Sequence, residues 1–244
     1  MLTSVRRCSP SAASDIILFD HHPDLAGRPG SLSNVQAHNR CTAITWNVFR
    51  TLHLISPSFW LRRFRARLVG LSSLEPPSRT LDVRLWFALP SPPQSGYDER
   101  IDVDVLVETE TAVYGVLVFN ESDVDTGDSS RACPDAVLRV IDAVSWYAGV
   151  RECYIALVTS DPSHTPIGTS LVRRYGASRE VTFRRLSHRR DRLANVAGIG
   201  GLTWADMASI MRDCAEADAL TEFERYAASR TAHWLGSIGI HPVD

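Results

Sequence analysis

The segment Ala112 to Phe119 (AVYGVLVF) constrains the fold more than any other part of the chain. It is almost wholly apolar, and a strand of that kind has to be covered on both faces. It follows Ile101 to Glu108 (IDVDVLVE), which sets acidic residues on one face and aliphatic residues on the other. The turn between them, Thr109–Thr111, is short enough to make residues 101–119 a hairpin.

The flanking segments supply the layers that such a hairpin needs. From Thr42 to about Val69 the pattern is helical. Thr45 is a candidate cap, and Trp46, Phe49, Leu52 and Ile55 recur at three-residue steps as one apolar face. Pro57 interrupts this helix. Phe59 to Val69 resumes it, with Trp60, Leu61, Phe64 and Leu68 apolar and Arg62, Arg63, Arg65 and Arg67 mostly opposite. Leu81 to Leu89 (LDVRLWFAL) alternates as a strand and ends in the proline-rich turn PSPP. The acidic, Ser- and Gly-rich stretch Glu121 to Ala132 reads as a loop. Pro134, Asp135 and Gly149 then bracket a helix that buries Val137, Ile141, Val144 and Ala148. Tyr154 to Thr159 (YIALVT) is a further strand. The order helix, strand, strand, strand, helix, strand predicts an α/β fold, a mixed central sheet flanked by helices.

Beyond that core a short helix is expected near Ile167 to Tyr175, and an arginine-rich stretch runs from Arg179 to Arg192. Two C-terminal helices are expected at about Thr203 to Cys214 and Leu220 to Leu235. Their apolar residues, Trp204, Met207, Ile210 and Met211 on one and Phe223, Tyr226, Ala227 and Trp234 on the other, are expected to pack on the sheet or to pair with a second copy as a homodimer. Gly198, Gly200 and Gly201 (AGIGGLT) lack the strand–turn–helix setting of a dinucleotide site and read as a flexible turn. The chain thus divides into an N-terminal arm (1–40), a core (41–162) and a C-terminal helical extension packed on the core (163–244).

Composition narrows the chemistry. The 26 basic residues are all arginine, with no lysine anywhere. That removes a Schiff-base lysine, a phosphate-loop lysine and the lysine of a metal-dependent nuclease, and arginine stays protonated and cannot replace them as a base. The five cysteines are widely spaced without a CxxC pair, as reduced cytosolic thiols would be. The adjacent pair His21–His22 shares a metal poorly and reads as a solvated turn. The N-terminus has no apolar run before Asp15, and no segment has the roughly 18 to 20 apolar residues of a membrane span. A cytoplasmic protein without a membrane partner is expected. Net charge is −2, so any basic binding surface has to be local.

With Asp104 late in the second strand and a hairpin into the third, residues 41–160 resemble the PD-(D/E)XK nuclease superfamily. The pattern that resemblance implies is approximately D-V-L-I-E-T-E-x-A-V-I-x-V-E-A-K. The chain reads Asp104-Val105-Leu106-Val107-Glu108-Thr109-Glu110-Thr111-Ala112-Val113-Tyr114-Gly115-Val116-Leu117-Val118-Phe119. The frame fits and Asp104 matches, but Leu117 stands at the Glu position and Phe119 at the Lys position. The helical Glu falls near Cys41, ahead of Thr45-Trp46-Asn47-Val48-Phe49, where no carboxylate stands. The resemblance implies a restriction-endonuclease-like αβββαβ core in which hard carboxylates would hold Mg²⁺. Exchange of Glu and Lys for Leu and Phe implies a site converted to core, with Asp104 as its remnant and no cofactor expected.

The alternative is a Mg²⁺-dependent DNA endonuclease whose site has moved to Asp104 and Glu121, with Glu108 as a third candidate. Glu121 shares a strand face with Leu117 and Phe119 if the strand extends that far. A third reading is a structural oligomer partner with no nucleic-acid role. For DNA or RNA the candidate contacts are two arginine clusters, Arg62, Arg63, Arg65 and Arg67, and Arg179, Arg184, Arg185, Arg189, Arg190 and Arg192 with His188. Arg139 is added because related nucleases often carry a polar residue facing the site at that point of the crossover helix.

Overall fold

Thr109 closes the central hairpin. Its backbone N–H and its hydroxyl both donate to the Ala112 carbonyl (2.9 and 3.1 Å), and its Oγ1 accepts the Ala112 N–H at 2.9 Å. The computed structural model describes residues 37–70, 82–93, 95–96, 100–119, 134–159, 186, 188–189 and 193–243. The elements in chain order are α1 (Ala37–Leu54), α2 (Pro57–Val69), β1 (Asp82–Pro90), β2 (Arg100–Glu108), β3 (Ala112–Val118), α3 (Pro134–Ala148), β4 (Glu152–Thr159), β5 (Val196–Thr203), α4 (Trp204–Ala215) and α5 (Glu222–Ser237). The five strands form one sheet in the order β1-β2-β3-β4-β5. The first two pairings are antiparallel and the last two parallel, a mixed sheet flanked by helices. Among the described residues no helix is long and apolar enough to cross a membrane.

The apolar third strand is covered on both sides, as its composition requires. Ala112, Tyr114 and Val116 face a core shared with α1, α2, α4 and α5. Val113 and Leu117 face a second core under α3. Gly115 lies where α3 crosses closest, since a Cβ there would stand 2.7 Å from a Val144 methyl. β4 repeats the alternation, with Tyr154, Ala156 and Val158 on one side and Cys153, Ile155 and Leu157 on the other. The parallel pair β3–β4 is connected through α3, so the crossover helix covers the strands it joins.

The glycine-rich AGIGGLT is not a flexible turn. It is β5, paired in parallel with β4, so the segment after residue 163 carries a sheet strand as well as helices. Glycine is needed because α2 lies directly on this strand: a Cβ at Gly200 would stand 1.8 Å from the Leu68 carbonyl oxygen. The C-terminal helices begin at Thr203 and Thr221, each closing a capping box with Asp206 and Glu224. Trp204, Met207, Ile210, Met211 and Cys214 are buried against the sheet. Phe223 and Tyr226 do not pack on the sheet but are exposed (62% and 63%), because α5 buries Ala228, Thr231 and Leu235. The expected helix at 167–175 and all but the end of the 1–40 arm lie outside the described residues.

Candidate functional site

The outer strands do not alternate regularly. Val83 and Leu85 of β1, with Val105 and Val107 of β2, pack toward α1 and α2. Phe87 and Leu89, with Ile101 and Val103, pack toward α3. Residues two apart normally share a face, so both strands reverse between these groups. The reversal occurs where Trp86 stands level with Asp104, between the pairs Leu85–Val105 and Phe87–Val103. Trp86 takes φ +51°, a conformation that side-chain-bearing residues seldom adopt.

Asp104 lies at the same break on its other side. The β2–β3 ladder runs from Glu108–Val113 to Val105–Val116, and its continuation would set Asp104 across from Leu117. There a side chain takes over from the ladder: the Val118 N–H donates to Asp104 Oδ2 at 2.8 Å. Beyond this point β3 stays paired with β4, as Phe119 N–H donates to the Val158 carbonyl at 2.9 Å. Leu117 and Phe119, half-buried, both pack against the core under α3. Among the described residues no group of three or more His, Cys, Asp and Glu side chains is arranged to hold a metal ion. Glu121 lies outside the described residues.

Glu108, the third carboxylate of the relocated-site reading, is engaged elsewhere. It lies four residues along β2 from Asp104, about 13 Å for an extended chain. Arg151 donates to its Oε2 at 3.0 Å, Tyr147 Oη donates to its Oε1 at 2.9 Å, and Arg84 stands 3.3 Å from Oε1. Burial first, then the hydrogen bond to Glu108, hold the Tyr147 phenol above its ordinary pKa. Glu108 is therefore a counter-ion for two arginines.

Several arginines read as candidate phosphate contacts pair within the fold. On α2, Arg63 reaches Asp213 (3.0 Å), Arg65 reaches Glu152 (3.2 Å) while lying over the Tyr154 ring, and Arg67 reaches Asp206 (2.8 Å). These pairs tie α2 to α4 and to the start of β4, whereas Arg62 is exposed. Arg189, also read as a nucleic-acid contact, pairs within the fold as well. Its NH1 donates to Asp142 Oδ1 at 2.6 Å and to the Asp142 carbonyl at 2.9 Å, and its side chain is only 8% exposed. Arg189 thus tethers its segment to α3. His188 Nε2 stands 2.6 Å from the second oxygen of the same carboxylate, and Asp142 is fully buried. Arg139 is half-buried on α3. Arg184, Arg185, Arg190 and Arg192, like Arg179, lie outside the described residues.

Cys153 and Cys214 are buried thiols whose pKa burial pushes up to about 12, so they behave as small core groups rather than nucleophiles.

An aromatic pair escaped the sequence reading. The three-residue spacing puts Trp46 on the apolar face of its helix, yet only its companions Phe49, Leu52 and Ile55 are fully buried. Trp46 is half-buried and stacks on Trp86, centroids 5.5 Å apart and planes 16° from parallel. The guanidinium of Arg50, one helical turn on, lies 5.5 Å from the Trp46 ring centre. The three-residue spacing carries no sign of this, because it depends on the reversal at Trp86. No protein-family model, no curated protein and no solved structure matches the chain.

Proposed function

We propose that this protein is a PD-(D/E)XK nuclease-like module that has lost phosphodiester cleavage and binds nucleic acid. The observation that carries the reading is the hydrogen bond from the Val118 amide to Asp104, beside the half-buried Leu117 and Phe119 that pack against the core under α3. The resemblance puts an acid on β2 opposite a Glu and a Lys near the end of β3. Asp104 occupies that corner, but its carboxylate serves as a backbone acceptor, and the opposing positions are apolar. This donor set does not fit a divalent ion, which needs several hard oxygen ligands together. The element order through β4 and the mixed sheet agree with the restriction-endonuclease-like core, and β5 extends it.

With no lysine in the chain and no metal-holding group among the described residues, the activity this reading expects is binding. The experiment is a cleavage assay on single- and double-stranded DNA and RNA with Mg²⁺ or Mn²⁺, with Asp104→Ala as control, beside a salt-titrated binding assay. Binding without cleavage is the expected result. Divalent-dependent cleavage lost in Asp104→Ala would establish the relocated-site endonuclease instead, and neither binding nor cleavage would leave the oligomer-partner reading.

A further inference from the structure

The stacked pair Trp46–Trp86 belongs to neither core: both rings are half-buried, and neither joins the apolar cluster on its side of the sheet. Two large indoles left partly in water cost solvation that core packing would have relieved, so this placement calls for an explanation. The backbone adds a second. Trp86 holds φ +51°, a conformation that glycine would take without strain, yet the largest side chain occupies it and is turned onto Trp46.

Charge indicates what such a surface would meet. From residue 25 to residue 74 the sequence has no Asp or Glu, although the chain holds 28 of them. The same stretch has seven arginines. Arg63, Arg65 and Arg67 reach acids on other elements, whereas Arg50 has an exposed side chain and no acidic partner among the described residues. His53 and Leu54 continue the exposed stripe of α1 beyond it. Arg50 over the Trp46 ring, in a helix whose stretch of sequence holds no acid, suits a ligand that carries both an aromatic plane and negative charge; Trp86 lies outside that stretch and stands level with Asp104. An apolar peptide would leave the arginine unused, and a duplex keeps its base faces stacked inside.

We propose that Trp46, Trp86 and Arg50 form a stacking platform for an unpaired base of a single-stranded polynucleotide, with Arg50 meeting the adjacent phosphate. This rests on the nucleic-acid-binding reading above and adds where, and in which strand state, the ligand is held. Stacking on indole tolerates any base, so the platform gives affinity without sequence choice.

The test measures quenching of tryptophan fluorescence and fluorescence anisotropy with oligo-dT, oligo-rU and a DNA duplex, for the full chain and for Trp86→Gly, Trp46→Ala and Arg50→Gln. Trp86→Gly is the central variant, because glycine relieves the positive φ and the fold should survive removal of the ring. The proposal expects both single strands to quench and to outcompete duplex, with the two sugars separated by their ratio. Each tryptophan variant should bind at least about fivefold more weakly, and Arg50→Gln should reduce the salt slope by about one. Should Trp46→Ala not fold, Trp86→Gly and the quenching decide. If the full chain binds single strands and Trp86→Gly binds them equally well, the platform is wrong while the nucleic-acid reading stands. Preference for duplex likewise rejects the platform alone. If the full chain binds no nucleic acid even at low salt, both fall.

Discussion

The Asp104 carboxylate and the Val118 amide are joined at 2.8 Å where the β2–β3 ladder has ended. In the terms of the resemblance, this is the corner where an acidic group would have held an ion. Here the same group completes the backbone hydrogen bonding of a strand that is leaving its neighbour.

That relationship is tested by separating the acceptor from the charge. Asp104→Asn retains a carbonyl oxygen that can accept the Val118 N–H, whereas Asp104→Ala leaves a part-buried amide without it. Asp104→Ala should lower the unfolding free energy by about 1–2 kcal/mol and Asp104→Asn by clearly less, measured by urea unfolding. Equal losses in the two variants would show that charge, not the hydrogen bond, stabilises this corner.

A second stabilising cluster lies across α3. Asp142 is fully buried and accepts from Arg189, with His188 at its other oxygen, while Arg189 NH2 reaches the Ser145 hydroxyl at 3.2 Å. Asn195 extends the tie by donating to the Ser145 and Gly149 carbonyls. Removing one partner of such a pair leaves the other charge buried, so Asp142→Ala should cost about 3–5 kcal/mol. The double variant Asp142→Leu/Arg189→Met should recover much of that loss, because it leaves neither charge behind. Chemical denaturation of the single and double variants measures the difference.

The same residues show what the sequence could and could not convey. β3 and β4 were legible because burial on both faces is written as an unbroken apolar run, and the α3 boundaries because Pro134 and Gly149 punctuate them. β5 was not, since Gly200 answers to the carbonyl of Leu68 and Gly198 to the side chain of Val69, on a helix more than a hundred residues upstream, and locally a glycine run looks like a turn. Trp86 was read within a regular alternation because nothing in LDVRLWFAL marks a positive φ at a tryptophan. Of the candidate site, the hairpin geometry around Asp104 was legible from spacing. The roles of Glu108 and Arg189 were not, because their partners Arg151, Arg84 and Asp142 are brought in by tertiary packing.

The base of α5 carries an acid-sensitive contact. Glu224 accepts from the Thr221 hydroxyl (2.6 Å) and the Thr221 N–H (2.8 Å), and through its other oxygen from the Ser56 N–H at 2.7 Å. The Thr221 hydroxyl foremost, with these backbone amides, holds its pKa below the usual 4.5 against a smaller opposing effect of burial. A depressed carboxyl binds its proton less readily when folded, so its contribution is complete above the unfolded value and fades as pH falls through the folded one. Glu224→Gln should therefore lower the neutral-pH plateau and flatten the fall in stability below about pH 4.5, the two proteins converging in acid. Thermal melts of both proteins from neutral pH into acid provide the check; parallel acid limbs would contradict it.

Three glycines rank the tightness of packing along the C-terminal half. At Gly200 an added Cβ meets backbone, the Leu68 oxygen at 1.8 Å and its carbon at 2.8 Å, so α2 would have to lift from the sheet. Gly200→Ala should cost about 3 kcal/mol, at the upper end for overpacking. At Gly198 the nearest atom is a Val69 methyl at 2.3 Å, a side chain that can turn aside, and the cost should be smaller. At Gly236, within α5, nothing lies within 4 Å, and the helical backbone favours alanine. Gly236→Ala should raise stability by up to about 1 kcal/mol. The order of urea midpoints, Gly236→Ala above the parent, then Gly198→Ala, then Gly200→Ala, follows only if β5 lies under α2. A flexible turn at residues 198–201 would make the Gly198 and Gly200 substitutions nearly neutral, so this ordering distinguishes the strand from the turn.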